Sequence, residues 1–143
     1  MNHTGRCACG AVTLEVSGKA ITTRQCWCRQ CQQIAAGGPT QNAIFQSDQV
    51  AFTGELASAE WRAASGNTLT FWFCPQCRTQ AYAQSSARQH LKTVRFGFLD
   101  EPHGLRPEMA IWLSEAPDWA QVDPDIPHFL EQPPAPQLAT PQG

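Results

Sequence analysis

The seven cysteines of the chain fall into three short groups, and this grouping limits how the chain can fold. The groups are Cys7/Cys9, Cys26/Cys28/Cys31 and Cys74/Cys77. A structural zinc normally takes four protein ligands, whereas a catalytic zinc keeps one position open. The two pairs together supply four thiolates, and the remaining group supplies three. We therefore expect one structural zinc that joins the N-terminus to the middle of the chain, and a second zinc that is catalytic or labile.

Length and composition indicate a small globular protein. The chain has 143 residues, of which 42% are apolar and 15% are charged, and this balance is not typical of a disordered chain. We expect one domain over residues 1–131. It is followed at 132–143 by a Pro-rich segment that we expect to be a disordered tail.

Charge and hydropathy exclude several kinds of partner. The net charge is −2, which gives no electrostatic footprint for nucleic acid. No apolar run is long enough to span a bilayer, and the first six residues lack the apolar core of a signal peptide. We expect the protein to be cytoplasmic. Thiols stay reduced there, and clustered cysteines more often bind metal than form disulfides.

Short alternating segments between Gly, Pro and Asp residues predict a mainly β protein with one short helix. The helix is predicted at 29–36 and is stopped by Gly37, Gly38 and Pro39. Strands are predicted at 11–16, 21–25, 42–45, 50–53, 60–63, 69–73, 81–83, 93–98 and 109–113.

The two cysteine pairs have spacings that suit one shared metal. Cys7 and Cys9 are two residues apart just before a strand, and on extended chain such side chains point the same way. Cys74 and Cys77 leave a strand with the two-residue gap that is usual for a zinc-binding turn. A redox pair at Cys74/Cys77 is the competing interpretation, but no thioredoxin-like pattern surrounds it.

The three-cysteine group is predicted at the start of the helix. Cys28 and Cys31 are then one turn apart, and Cys26 comes from the preceding strand. A helix N-terminus is expected to lower the pKa of these thiols. Two other interpretations stay open: a structural zinc completed by histidine or water, and a reactive thiol cluster without metal. The four histidines are isolated in sequence, so we expect surface or loop positions for His3, His90, His103 and His128.

The motifs in this order resemble the glutathione-dependent formaldehyde-activating enzyme family. The resemblance rests on Gly5-x-Cys7-x-Cys9-Gly10-x-Val12, Cys26-x-Cys28-x-x-Cys31 and Phe73-Cys74-x-x-Cys77, and on a C-terminal part with Gly97-Phe98-Leu99-Asp100-Glu101-Pro102, Ile111-Trp112-Leu113-Ser114 and Asp125-Ile126-Pro127-His128-Phe129. It implies a β-tent fold of small antiparallel sheets held by zinc.

The same resemblance implies roles for the cysteines and a reaction. Four of them, Cys7, Cys9, Cys74 and Cys77, would hold a structural zinc, and Cys26, Cys28 and Cys31 a catalytic one. The implied activity is that of a carbon–sulfur lyase, which interconverts formaldehyde plus glutathione and S-hydroxymethylglutathione.

The chain departs from the usual family pattern at three places. Members of the family frequently carry an arginine shortly before the Phe-Cys pair, where this chain has Thr70-Phe71-Trp72-Phe73. Trp27 stands where the family often has histidine, and Arg78 stands where it usually has glycine. A turn of this kind often needs a positive φ at that glycine, which arginine tolerates poorly. The carboxylates of glutathione also call for basic residues, and the candidates are Arg24, Arg29 and Arg78.

Three functional hypotheses follow. The first is a zinc-dependent enzyme whose small-molecule substrate is a thiol or aldehyde, with glutathione as the candidate thiol. The second is a zinc-stapled binding module without catalysis, and the third is a thiol redox sensor. A homodimer is also an expectation, because Trp61, Trp112 and Trp119 could line either a pocket or a dimer surface.

Overall fold

The computed structural model describes residues 2–63 and 66–134, and this part of the chain is mainly β. It contains one α-helix, α1 (Arg29–Ile34), and short 3₁₀ turns at Ser47–Gln49, Phe96–Phe98 and Leu113–Glu115. None of the described helices is long and apolar enough to cross a lipid bilayer. The strands are β1 (Asn2–Arg6), β2 (Thr13–Ser17), β3 (Thr22–Cys26), β4 (Thr40–Gln46), β5 (Val50–Thr53), β6 (Ala57–Arg62), β7 (Thr68–Phe73), β8 (Gln80–Ser85), β9 (Leu91–Arg95) and β10 (Ala110–Ile111).

The mainly β prediction is confirmed, and each predicted strand overlaps an observed one. Three of them are shorter than expected. The strand predicted at 11–16 begins only at Thr13. Residues 96–98 of the strand predicted at 93–98 form a 3₁₀ turn, and only Ala110–Ile111 of 109–113 pairs as a strand. The assignment of 1–131 to one domain stays a prediction, and most of the tail expected at 132–143 lies outside the described residues.

The chain forms two compact units. The first contains the described residues of 1–20 and 44–104, and the second those of 21–43 and 105–143. Strand β4 carries the chain from the second unit into the first. The two cysteine pairs belong to the first unit and the three-cysteine group to the second.

The first unit contains a strand that the sequence analysis did not predict. β1 pairs with β2 in antiparallel register, with Gly5 opposite Leu14. Its inward residues are His3 and Gly5, so it lacks the alternating apolar side chains by which a strand is recognised. Glycine is needed at position 5 because a Cβ there would collide with the carbonyl oxygen of Phe98.

Two antiparallel sheets build the first unit. One has the order β1-β2-β5, and in the other β9, β8, β7 and β6 follow one another. A stack of three rings connects them. The ring of Tyr82 lies 4.4 Å from that of Trp72 and 5.0 Å from that of Phe52, centroid to centroid, at interplanar angles of 7° and 20°. Because Phe52 comes from β5, the stack packs the smaller sheet on β7 and β8.

In the second unit, the segment that contains β10 is hydrogen-bonded to other chain segments on both of its sides. β3 pairs in parallel with β10, and the amide of Trp27 extends this pairing with a 3.0 Å bond to the carbonyl of Ile111. On the other side of the segment, Phe129 donates to the carbonyl of Ala110, and Leu113 donates to Phe129. These bonds fix the chain that runs from β10 into the turn Leu113–Glu115, next to the end of β3.

Helix α1 ends earlier than the prediction of 29–36, because the chain turns left-handed after it. Ala35 caps the helix, and Ala36 follows with a φ of 60°. The amide of Gly37 donates to the carbonyl of Gln32 at 2.7 Å. This bond and the positive φ are those of a Schellman ending, in which glycine usually takes the left-handed position.

We therefore expect Ala36→Gly to stabilise the protein by about 1 kcal/mol, because glycine removes the Cβ penalty of a left-handed residue. Ala35→Gly is the matched control. Its φ of −92° gives glycine no advantage, so this change should lower stability by roughly 0.5–1 kcal/mol. Urea unfolding under reducing conditions measures both effects. An equal loss of stability in the two variants would contradict the assignment of the helix ending.

Candidate metal centres

Cys7 and Cys9 lie in a tight turn after β1. The amide of Gly10 donates to the carbonyl of Cys7 at 3.0 Å, and Gly10 has a φ of 81°. The extended chain predicted for this pair is therefore wrong. The turn still brings the two Sγ atoms to 3.6 Å from each other.

Cys74 and Cys77 lie in a second turn, which follows β7. The amide of Arg78 donates to the carbonyl of Cys74 at 2.9 Å, and that of Cys74 donates to the carbonyl of Thr79 at 3.0 Å. Arg78 has a φ of 68°. The positive φ expected at this position is confirmed, and arginine adopts it in place of glycine.

The two turns bring four sulfur atoms to one point. The Sγ atoms of Cys7, Cys9, Cys74 and Cys77 all lie within 4.8 Å of one another, and those of Cys9 and Cys74 are 3.7 Å apart. Zinc–sulfur bonds of about 2.3 Å in a tetrahedron imply sulfur–sulfur separations of about 3.8 Å. The four-cysteine group could therefore hold a metal ion, and its geometry is compatible with zinc.

Hydrogen bonds to the sulfur atoms prepare this group for a cation. The Val12 amide donates to Cys7 Sγ at 3.3 Å, and the Cys77 amide lies 3.5 Å from Cys74 Sγ. The Thr79 hydroxyl, 3.1 Å from Cys77 Sγ, and the Thr79 amide lower the pKa of Cys77 to about 5. A metal must displace the protons of its thiol ligands, and these donors make that displacement easier.

Cys9 shows the opposite tendency. Its hydrogen bond with the Ala11 amide favours the thiolate, but desolvation and the three neighbouring sulfurs raise the pKa of Cys9 to about 11. The pKa of Cys9 is thus raised while the Thr79 donors lower that of Cys77, and the titrations of the four thiols are coupled because the thiols are in contact.

The three-cysteine group is built where β3 meets α1. Cys26 is the last residue of β3, and Cys28 is the N-cap of α1, with its Sγ accepting the amide of Cys31 at 3.3 Å. The three Sγ atoms lie within 4.8 Å of one another, and no further His, Cys, Asp or Glu of the described residues joins them. The prediction that Cys28 and Cys31 are one turn apart at the helix start is confirmed.

The expected lowering of the thiol pKa by the helix is wrong for two of these cysteines. The Cys26 thiol donates hydrogen bonds to Cys28 and Cys31, and these bonds, together with burial, raise the pKa of Cys26. For Cys28, the bond from Cys26 favours the thiolate, but Cys31 and burial exceed it and raise its pKa. A helix of six residues has a weak field at its end, whereas the neighbouring thiols are in direct contact. The contacts among the thiols therefore favour the protonated forms of Cys26 and Cys28.

Gln32 holds the backbone around this group, a role that the sequence analysis missed. Its side chain is buried, and its Nε2 donates to the carbonyls of Trp27 at 2.7 Å and Glu115 at 2.9 Å. Its Oε1 accepts from Nη1 of Arg29 at 3.3 Å. Gln32 thus ties the residue between Cys26 and Cys28 to the turn Leu113–Glu115. A buried glutamine on a six-residue helix gives no pattern that sequence analysis can interpret.

The Glu115 side chain accepts a hydrogen bond at the N-terminus of α1. Its Oε1 accepts the amide of Arg29 at 3.1 Å, which places a carboxylate at the helix N-terminus, where negative charge is favoured. Trp119 lies nearby, with its ring edge-on to that of Trp27 at 6.2 Å. Trp27 is buried and Trp119 is 68% exposed. The exposed ring of Trp119 is therefore the part of this pair that a ligand could contact.

The surface or loop positions predicted for the four histidines are wrong for two of them. His3 is buried in β1 and lies against the ring of Phe45, so it is not a surface residue. The side chain of His103 is also largely buried and lies 2.9 Å from the carboxylate of Glu101. His90 and His128 are exposed, as predicted. Arg24 is buried in β3, whereas Arg29 and Arg78 are exposed.

Comparison with known proteins identifies the family of the chain. The family model described as glutathione-dependent formaldehyde-activating enzyme matches residues 2–115. The chain belongs to this family. The match supports a formaldehyde-activating, glutathione-related function in general terms, and it contains all seven cysteines.

The fold is also similar to that of a solved protein. A crystal structure of a Rhodobacter sphaeroides protein matches with a TM-score of 0.53 and 22% sequence identity, and the match covers 73% of this chain and 91% of that chain. At this identity the likeness concerns the fold alone. No curated protein matches the chain.

The role of Gln32 can be tested by stability. We expect Gln32→Ala to lower the free energy of unfolding by about 1–3 kcal/mol, because the carbonyls of Trp27 and Glu115 lose their donor. The neighbouring Gln33 is exposed, so Gln33→Ala should change it by less than about 0.5 kcal/mol. Urea unfolding followed by tryptophan fluorescence measures both. Equal stabilities of the two variants would show that Gln32 does not hold this backbone.

Proposed function

We propose that the protein is a zinc-dependent carbon–sulfur lyase that acts on thiol–aldehyde adducts of the S-hydroxymethylglutathione type. The observation that carries the proposal is the three-cysteine group, which offers three sulfur ligands and no fourth in the described part of a chain of this family. Three protein ligands and a vacant position are typical of catalytic zinc, whereas four are typical of structural zinc.

The proposal gives the two centres different tasks. Cys7, Cys9, Cys74 and Cys77 would hold a structural zinc. Cys26, Cys28 and Cys31 would hold a second zinc, which when bound would polarise an aldehyde oxygen or stabilise the thiolate form of a substrate. The three thiolates of the chain lower the electrophilicity of any dication between them. They therefore favour the handling of a thiolate over the polarisation of a carbonyl.

The reaction itself is an addition and its reverse. The thiol sulfur bonds to the carbonyl carbon while the thiol proton passes to the carbonyl oxygen, and cleavage of the adduct reverses both changes. Holding the two reactants side by side makes a bimolecular addition a local event. The chain supports this by fixing the backbone of Trp27 through Gln32, so that Cys26 and Cys28 keep their separation.

Among the three arginines considered from sequence, Arg29 is our candidate for a substrate carboxylate. It follows Cys28 directly and is exposed, whereas Arg24 is buried. Its guanidinium is steadied by Gln32 but is not enclosed. The exposed face of Trp119 offers an apolar surface in the same unit. Arg29 would bind a carboxylate of glutathione, and Trp119 would shield the apolar part of the adduct.

A cytoplasmic location is part of the proposal. All seven cysteines are free thiols, and both centres need the reduced form. Reducing compartments maintain that form.

Zinc content and folding test the division of tasks. We expect wild type to hold two zinc equivalents per chain, and Cys28→Ser to lose one while it still melts cooperatively. Cys7→Ser should lose cooperative melting or solubility, because a structural site contributes directly to the folding free energy. Metal analysis together with thermal unfolding monitored by circular dichroism measures both. Comparable losses of melting temperature in the two variants would contradict the division.

Exchange kinetics test the reaction. We expect the equilibrium between formaldehyde, glutathione and their adduct to exchange faster with wild type than without protein, because the bound reactants are held together. Substitution of Cys26, Cys28 or Cys31 by serine should return the rate to that of the uncatalysed reaction. NMR exchange spectroscopy at equilibrium measures it, with several thiols and aldehydes tried in turn. Equal rates with wild type, variants and buffer across all of them would leave the zinc-stapled binding module as the function.

A further inference from the structure

Strand β6 is an open edge of the first unit. It pairs with β7 on one side, and no strand of the described residues pairs with its other side. Its residues from Ser58 to Arg62 are all exposed, and the Trp61 side chain is 46% exposed. An exposed strand edge presents unpaired backbone donors and acceptors, which can template the addition of another strand.

The hydrogen-bond pattern shows which groups of β6 face outward. The amide of Ala63 donates to the carbonyl of Asn67 at 2.9 Å, and Arg62 lies opposite Thr68. Since bonded and non-bonded pairs alternate along antiparallel strands, Ala59 and Trp61 turn their backbone groups toward β7. Ser58, Glu60 and Arg62 therefore turn theirs outward.

We infer that β6 pairs antiparallel with β6 of a second copy of this chain, across a two-fold axis at Trp61. In this register Glu60 of each copy lies opposite Arg62 of the other, in a hydrogen-bonded pair. The two Trp61 residues face each other in the non-bonded pair between them, where side chains approach most closely. The same surface serves both copies, as an isologous dimer requires.

Charge selects this register over its neighbours. A shift by one pairing step in one direction places Glu60 opposite Glu60, and a shift in the other direction places Arg62 opposite Arg62. Like charges directly opposite each other destabilise a strand pair, and opposite charges stabilise it. Of these three registers, only the proposed one places both Glu60 residues opposite Arg62 residues. It also places the two Trp61 rings opposite each other. The charge pattern of β6 is thus complementary to itself.

The inference goes beyond the proposed function, because it involves neither cysteine group. The interface is a single short strand from each copy. We therefore expect a dimer that forms in a concentration-dependent way, as is usual for small interfaces.

Sedimentation equilibrium of the full chain in reducing buffer, over a dilution series, tests the pairing. Wild type should shift from monomer to dimer as the concentration rises. Glu60→Arg or Arg62→Glu places like charges opposite each other twice, so each should weaken association by about tenfold or more. The double variant Glu60→Arg/Arg62→Glu restores both pairs and should regain the wild-type association. Glu55→Arg, the same charge change at an exposed residue outside the strand, should leave it unchanged.

Three results would overturn the inference. Wild type that stays monomeric throughout the series would show that β6 does not pair. A double variant that associates no better than the single ones would show that Glu60 and Arg62 do not meet across the axis. Stronger association of Glu60→Gln would show that Glu60 faces Glu60, which is the register that we exclude. Circular dichroism of each variant confirms that these exposed substitutions leave the fold intact.

Discussion

Four thiols at one point are the constraint on which the first unit depends. Two turns separated by more than sixty residues bring their sulfur atoms within 4.8 Å of one another. One turn follows β1 and the other follows β7, so the cluster joins the ends of strands from two different sheets. Bare thiols at this distance compete for protons, as the opposite pKa shifts of Cys9 and Cys77 show. A bound dication would remove that competition, which supports our proposal of a structural zinc at this cluster.

The second cluster is supported by other means. Its three cysteines lie within six residues of one another, so local chain geometry is enough to bring them together. What remains to be held is the bend between β3 and α1, and Gln32 and Glu115 hold it with hydrogen bonds from within the second unit. A centre whose backbone is held by hydrogen bonds has less need of a fourth metal ligand. This contrast supports our proposal that the first centre serves stability and the second serves chemistry.

Sequence reasoning failed where the signal was not an apolar pattern. β1 escaped prediction because its inward positions are His3 and Gly5, and their burial depends on Phe45 and Phe98 from far along the chain. The Cys7/Cys9 segment was predicted as extended from side-chain periodicity, but the bond from Gly10 to Cys7 closes it into a turn. The thiol pKa values in the three-cysteine group were predicted from the helix alone, whereas contact between the thiols and their burial dominate.

The sequence by itself determined the grouping of the cysteines, the short helix that begins at Arg29 and most of the strands. These features are local, because they follow from ligand spacing, periodicity and turn chemistry within a few residues. The ligand count also predicted that Cys7 and Cys9 meet Cys74 and Cys77, and the structure brings these four sulfur atoms together. Only the tertiary structure decided that Gln32 bonds to Glu115, and that β6 is left as an edge. Each of these joins or separates residues far apart in the chain, and their proximity is set by the packing of whole strands, which no local pattern encodes.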